Sequence, residues 1–189
     1  RTEFFSADPK RGKAFIGKNV GNILLILGGS QGSETINKIV RESLEELSHH
    51  FLVVHICGPG KKVESNLENY VQFEFVRKEM ADLLAAADLV VSRAGSNSLF
   101  EIIAMKKPNI LIPLGLSSSR GDQILNARYA KEKGWSAVIT EESLTSETLL
   151  QELLLLKENS DVYLENLSGF EPKEAVERII TEIECLQKN

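Results

Sequence analysis

Three glycines and two polar residues stand together at residues 28–32, which read GGSQG and lead directly into a helical pattern. Glycine permits positive φ and lets another molecule approach the main chain. The N–H groups at the start of a helix attract an anion, so a diphosphate would fit here. The candidate contacts are Gly29, Ser30, Gln31 and Gly32. The structural alternative is a tight turn between a strand and a helix, with Ser30 or Ser33 as the N-cap.

A second polar segment, residues 92–101, reads SRAGSNSLFE and also opens into a helical pattern. The two oxygens of the Glu101 carboxylate could accept hydrogen bonds from two adjacent sugar hydroxyls, which is what a nucleotide ribose needs. Ser98 and Glu101 also have the spacing of a capping box, and this structural alternative stays open. The other candidates in this segment are Arg93, Gly95, Ser96 and Asn97.

Two further loops complete the set of candidate binding segments. Residues 113–123 form a polar loop that brings Asp122 and Gln123 to the start of a helix, with Asn126 one turn later. Asp122 could equally be a simple helix cap. Residues 75–77, which end in Arg77, could offer backbone groups and an apolar wall to a flat base.

Short apolar runs precede each of these loops and alternate with segments of helical period. The runs lie at 22–27, 52–57, 71–76, 88–91, 109–114 and 136–140, and the helical segments at 34–47, 78–87, 97–105, 122–133, 146–157 and 173–186. This alternation predicts an α/β fold, a Rossmann-like, doubly wound parallel sheet of about six strands. In such a sheet ligands bind beyond the carboxyl ends of the strands, where the strand order reverses. The four loops should therefore meet at one edge.

Length and composition narrow the functional classes. The chain has 189 residues and a formal net charge of -5, which predicts a single domain over 1–189 and no nucleic-acid partner. Cys57 and Cys185 match no disulfide framework and no metal-ligand spacing, so no metal site and a reducing, cytoplasmic setting are expected. No apolar run reaches the roughly 18 residues of a membrane-spanning helix. The chain begins at Arg1 without a methionine, which predicts a piece of a longer protein.

Taken together, GGSQG, SRAGSNSLFE and the PL…SSSRGDQ..NA segment closely resemble the MurG-type glycosyltransferases of glycosyltransferase family 28. This resemblance implies transfer of N-acetylglucosamine (GlcNAc) from UDP-GlcNAc to a lipid-linked muramoyl-pentapeptide, a step in cell-wall peptidoglycan synthesis. It runs over essentially the whole chain, but corresponds only to the carboxyl-terminal, donor-binding half of a two-domain GT-B enzyme. The amino-terminal acceptor domain is then absent, and this half alone is expected to be inactive.

The resemblance also implies roles for individual residues. Arg1 and Ser30 would contact the diphosphate, and Glu101 would hold the ribose hydroxyls. Arg77 and its neighbours match the loop whose backbone recognises uracil. Gln123 would bind hydroxyls of the GlcNAc ring.

Four positions near these depart from the family pattern or support it indirectly. Asp122 stands where many members carry histidine or glutamine, and Asn126 would brace the loop. Ser96 and Ser98 replace the alanine and threonine that are frequent in the family, although Ser98 keeps a hydroxyl.

The implied reaction is an inverting transfer in which UDP departs as a diphosphate. No DxD motif is present, so no obligatory cation or cofactor is expected. No catalytic residue is expected in this half, because the general base would come from the absent domain. The three histidines, His49, His50 and His55, should be structural or exposed.

The resemblance further implies that the full-length enzyme is peripheral at the inner face of the bacterial cell membrane. Its membrane contact and its lipid-linked acceptor would belong mainly to the missing half.

Two other classes remain open at this point. One is a naturally separate UDP-GlcNAc-binding subunit that needs a membrane-bound acceptor subunit. The other is an NAD-dependent oxidoreductase domain, which is disfavoured because the loop reads GGxxG instead of GxGxxG and because no acidic residue follows the second strand.

Overall fold

A computed structural model describes residues 4, 6–18, 21–115 and 121–170. Its strands are β1 (Ile23–Leu27), β2 (Leu52–Ile56), β3 (Tyr70–Phe73), β4 (Leu89–Ser92), β5 (Asn109–Leu111) and β6 (Ala137–Val138). Its helices are α1 (Pro9–Ile16), α2 (Glu34–Glu42), α3 (Leu44–His50), α4 (Met80–Ala86), α5 (Ser96–Ala104), α6 (Asp122–Glu132), α7 (Ser146–Glu158) and α8 (Ser160–Ser168). Arg1 and the predicted helix at 173–186 lie outside the described residues. None of the helices in the described part has the length and apolar character needed to span a bilayer.

The described strands form one parallel sheet in the order β3-β2-β1-β4-β5-β6. The order reverses between β1 and β4, which places a crevice beyond the carboxyl ends of these two central strands. The predicted Rossmann-like α/β class is confirmed.

Apolar side chains on both faces of the sheet explain the unbroken apolar runs in the sequence. On one face, Leu24 and Ile26 of β1 pack with α2, α3 and α7. On the other face, Leu25 of β1 packs with residues of α4 and α5. Every residue of β1, β2 and β4 is buried, as expected for central strands of a parallel sheet covered on both sides.

Two predicted element boundaries are wrong at positions where side chains bind main-chain carbonyls. The segment predicted as one helix at 34–47 is two helices that meet at Ser43, whose backbone (φ -96°, ψ -3°) departs from ideal helical values. The Ser43 N–H (3.0 Å) and hydroxyl (2.7 Å) both donate to the Ile39 carbonyl, and such side-chain back-bonding often bends helices. The fifth strand ends at Leu111 instead of 114, since Pro113 has no N–H to donate and Arg93 binds its carbonyl.

The sequence analysis missed α1 and α8. α1 begins where the Asp8 side chain accepts a hydrogen bond from the Lys10 N–H, and it packs closely against α4. At the crossing, a Cβ on Gly12 would lie 2.1 Å from the Asp82 carbonyl oxygen. Arg11 also donates to both oxygens of the Asp82 carboxylate, at 2.8 Å each. The two helices thus meet through a glycine and an ion pair, and Ile16 is the one apolar residue of α1 buried in the core.

A buried series of hydrogen bonds lies on one face of the sheet near the carboxyl end of β2. Asn37 uses its Nδ2 to donate to the Cys57 carbonyl (2.8 Å), so its Oδ1 accepts from His55 Nε2 (2.9 Å). His55 Nδ1 then accepts from the Tyr70 hydroxyl (2.9 Å). The ring must be neutral to accept this bond, and burial, followed by the nearby charge of Arg41, lowers the pKa of His55 to about 4. The predicted structural role of His55 is consistent with this setting.

The buried, neutral His55 predicts that the protein loses stability in mild acid. In the unfolded chain the pKa of a histidine is about 6.5, so between that value and about 4 only the unfolded state binds the proton. The free energy of unfolding should therefore fall by on the order of 3 kcal/mol as the pH is lowered through this window. Urea unfolding at a series of pH values measures it.

The matched variants for that series are His55→Gln and His49→Gln. His49 has a largely exposed side chain, so its replacement should leave the acid loss in place, whereas His55→Gln should reduce it. Equal pH dependence in wild type and His55→Gln would contradict the assignment.

Candidate functional site

Two adjoining cavities of about 600 and 670 Å³ open beyond the carboxyl ends of the strands. They share the residues Gly29, Ser30, Ser98 and Glu101, so they form one continuous cleft. The cleft lies at the reversal of strand order, the position expected for a ligand in this architecture.

The first cavity has an apolar wall. Phe75, Val76, Met80 and Leu84 line it, together with the last residues of β1 and β2. The Arg77 guanidinium lies 5.1 Å from the centre of the Phe75 ring. Val76 was predicted to end a strand, but β3 stops at Phe73 and the residues that follow turn into the cavity. Such a wall suits a flat, mostly apolar ring.

The glycine loop at 28–32 forms the floor of the second cavity. Gly29 has φ +85°, and no heavy atom of the described residues lies within 4 Å of the position its Cβ would take. Gly32 has φ +70° and lies against the main chain after β2, where a Cβ would be 2.0 Å from the Cys57 carbonyl oxygen. Ser33 is the N-cap of α2, because its Oγ accepts from the Ile36 N–H (3.3 Å). Ser30 is therefore not the cap, and it faces both cavities.

The capping-box alternative for Ser98 and Glu101 is wrong. α5 begins at Ser96 with Gly95 as its N-cap, so Ser98 lies within the first turn. Among the described residues no side chain makes the capping hydrogen bond of this helix. The N-terminal turns of α2 and α5 both border the second cavity, and their N–H dipoles contribute positive potential there.

Arg93 joins the loops beneath the second cavity. Its side chain is 8% exposed, and Nη2 donates to Ser33 Oγ (2.7 Å) and to Glu141 Oε1 (2.5 Å). Nη1 donates to the carbonyls of Ile112 (3.1 Å) and Pro113 (3.4 Å). Arg93 was predicted as a ligand contact, and it does line the cavity, but these protein acceptors occupy both Nη atoms.

Glu141 has a depressed pKa. Burial acts to raise it, but the hydrogen bond and charge of Arg93, with hydrogen bonds from the Gly115 N–H and the Thr35 side chain, outweigh burial. The carboxylate therefore stays ionised beside the guanidinium.

The start of α6 closes the far side of the second cavity. Gln123 lines it, and its Oε1 accepts from the Leu114 N–H (3.1 Å). With that oxygen engaged, the amide Nε2 is the group that can donate to a ligand. Asn126 Nδ2 donates to the Ala94 carbonyl (2.9 Å) and so ties α6 to the loop after β4.

Most of the predicted contacts come together in this cleft. Those that line it are Gly29, Ser30, Gln31, Gly32, Arg77, Arg93, Gly95, Asn97, Ser98, Glu101 and Gln123. Ser96, Asp122 and Asn126 line neither cavity. Ser96 and Asp122 are exposed, and Asn126 donates to the Ala94 carbonyl. Asp122 is the first residue of α6, after the N-cap Gly121.

Sequence reasoning missed Glu34, Thr35, Lys78 and Glu141 as lining residues. A signal for Glu141 existed, since it follows the sixth apolar run and parallel strands bring their carboxyl ends to one edge. Within the described ranges, no group of three or more His, Cys, Asp or Glu side chains could hold a metal ion.

Comparison with known proteins identifies similar sequences. The model of the glycosyltransferase family 28 C-terminal domain matches residues 23–182. A curated UDP-N-acetylglucosamine--N-acetylmuramyl-(pentapeptide) pyrophosphoryl-undecaprenol N-acetylglucosamine transferase from Clostridium tetani is 42% identical over 187 residues, covering 97% of this chain and 52% of that protein. The protein of the same name from Clostridium botulinum strain Loch Maree is 50% identical over 160 residues, covering 83% of this chain and 45% of that protein.

Among solved structures, MurG of Acinetobacter baumannii superposes with a TM-score of 0.73 over 96% of this chain and 54% of that chain. At 19% identity this likeness concerns the fold alone. The chain spans about half the length of the curated relatives it matches.

Proposed function

The chain belongs to the glycosyltransferase family 28 C-terminal domains, and we propose that it is the donor-binding domain of an inverting N-acetylglucosaminyltransferase. The donor would be UDP-GlcNAc and the acceptor an undecaprenyl-diphospho-muramoylpentapeptide, as the names of the relatives indicate. The rest of such an enzyme, including the acceptor site, would lie outside residues 1–189.

The observation that carries this proposal is the division of the cleft into an apolar and a polar cavity that share Glu101. A nucleoside diphosphate has the same division, since a flat base is joined through a ribose to two charged phosphates. The base would lie against Val76 and Met80, and the ribose hydroxyls would donate to Glu101 at the junction. The diphosphate would then lie over Gly29 and Ser30, at the N-termini of α2 and α5.

The sugar would extend from the diphosphate toward α6. Gln123 can donate from its Nε2 to a sugar oxygen, because its Oε1 is held by the Leu114 N–H. In the transfer, an acceptor hydroxyl forms a bond to the anomeric carbon while the bond from that carbon to the diphosphate breaks. The electron pair goes to UDP, and the acceptor proton goes to a base outside this chain. The main-chain N–H groups at both helix starts would stabilise the departing charge, so we propose that no metal ion or other cofactor is obligatory.

The proposed setting of the full-length enzyme follows from its acceptor. A lipid-linked acceptor requires the enzyme to work at a membrane surface, which we place at the inner face of the bacterial cell membrane. We propose that the membrane contact belongs mainly to the half outside this chain, and that nucleic acid is not a partner.

Calorimetric titration of the 189-residue chain with UDP-GlcNAc, UDP and NAD tests the proposal. Both uridine nucleotides should bind and NAD should not. Binding of NAD without UDP would refute it.

Replacement of the shared carboxylate gives a residue-level prediction. Glu101→Ala should weaken UDP binding by about 1–3 kcal/mol, the scale of hydrogen bonds to a charged group. Glu142→Ala is the control, since Glu142 is exposed and lies outside the cleft. If Glu101→Ala lowers the melting temperature but leaves UDP affinity unchanged, the residue is structural and does not bind the ribose.

A further inference from the structure

One carboxylate, Glu141, connects three of the loops that form the cleft. Its Oε1 accepts from Arg93 after β4 (2.5 Å), and its Oε2 accepts from the Gly115 N–H after β5 (3.4 Å). The Thr35 hydroxyl at the start of α2 also donates to it. Glu141 itself follows β6, so residues beyond four strands meet at this one group.

Arg93 extends the same connection. Beyond Glu141, it reaches Ser33 at the start of α2 and the main chain of Ile112 and Pro113. Both of its Nη groups are thus directed at protein acceptors, and its charge is balanced by Glu141. The pair therefore adds little net charge to the cleft, but it sets the distance between the loop after β1 and the loop after β5.

We infer that Glu141 is a positioning residue for donor binding, acting through Arg93 and the Gly115 N–H. The inference rests on the proposed function, because the loops it joins are those assigned to the diphosphate and the sugar. The apolar cavity assigned to the base is lined by residues 75–80, which Glu141 does not contact. Glu141 should therefore affect the diphosphate and leave the nucleoside unaffected.

A purely electrostatic role would have the opposite sign. A carboxylate at the wall of an anion site repels a diphosphate, so removing its charge alone would tighten UDP binding. If Glu141 instead positions the loops, its loss would weaken UDP binding. The sign of the change separates the two roles.

Glu141→Gln disrupts the hydrogen bonds that hold the loops together while keeping the volume of the side chain. A carboxylate accepts at both oxygens, whereas an amide offers one acceptor and one donor. In the variant the NH₂ group must face either the Arg93 Nη2–H or the Gly115 N–H, so one contact becomes donor against donor. Glu142→Gln is the matched control, with the same change one residue later at an exposed position.

The experiment titrates wild type and both variants with uridine and with UDP, followed by NMR at a temperature well below every melting midpoint. Glu141→Gln should weaken UDP by on the order of tenfold while uridine affinity stays the same, and Glu142→Gln should match wild type. Unchanged or tighter UDP binding in Glu141→Gln would overturn the inference while leaving the proposed function intact.

NMR spectra recorded without nucleotide test whether Glu141 holds the loops in place, whatever ligand the cleft binds. Amide signals at 29–35 and 112–115 should shift in Glu141→Gln, while those at 75–80 should not. If the shifts stay confined to the neighbours of residue 141, the positioning role is wrong whatever the nucleotide titrations show. If wild type binds neither uridine nor UDP, the proposed function and the donor-binding role of Glu141 both fail, and these spectra then show only whether Glu141 holds the two loops.

Discussion

Gly32→Ala should destabilise the chain by roughly 2–5 kcal/mol, the sum of about 1–2 kcal/mol of backbone strain at positive φ and about 1–3 kcal/mol of overpacking. The residue has φ +70°, and the new methyl group would lie 2.0 Å from the Cys57 carbonyl oxygen. That oxygen cannot move away freely, because Asn37 Nδ2 donates to it and the Cys57 N–H is bonded to the Phe73 carbonyl. Urea unfolding with linear extrapolation measures the loss.

Gly29→Ala is the control for this prediction. Gly29 also has positive φ, at +85°, but no described heavy atom lies within 4 Å of the added methyl group. It should therefore lose only the backbone term, about 1–2 kcal/mol. A similar loss in both variants would show that contact with Cys57 contributes nothing.

Arg93→Met should cost about 3–5 kcal/mol, the range observed when one partner of a buried ion pair is removed. The Glu141 side chain is only 21% exposed, so in this variant its charge stays largely shielded from water without a counter-charge. The carbonyls of Ile112 and Pro113 also lose their donor. The free energy of unfolding from urea titration is again the measurement.

Two further variants identify the cause of that loss. Arg128→Met removes an arginine that also pairs with a glutamate, but its side chain is 75% exposed, so stability should change by no more than about 0.5 kcal/mol. The double variant Arg93→Met with Glu141→Met should be more stable than Arg93→Met alone, because no unpaired charge remains. A double variant no more stable than the single one would mean that the ion pair is not responsible.

The parallel sheet was predictable because its central strands are buried on both faces and carry unbroken apolar runs. The ends of the strands were harder to predict from the sequence, because they depend on contacts between residues far apart in the chain, such as Arg93 and Pro113. α1 escaped detection because it packs through Gly12, and a glycine contact leaves no apolar periodicity in the sequence.

The candidate site was predictable to a similar degree. The glycine loop and the segment around Glu101 carry local signals, and parallel strands bring such loops to one edge. Glu141 was missed because a glutamate followed by another glutamate resembles an ordinary solvated turn. Its hydrogen bonds reach residues 26 and 48 positions away, and no local pattern records such partners. The ligand roles of the fifteen candidate residues stay predictions.

The close crossing of α1 and α4 also bears on the size of the apolar cavity. α4 presents Met80 and Leu84 to the apolar cavity and its opposite side to Gly12. Any side chain at position 12 must displace α4, and the thioether and isobutyl groups of the cavity wall would move with it. If a nucleobase occupies this cavity, as proposed, selectivity for its size is open to adjustment from the outer layer of the domain, at a position outside the cleft.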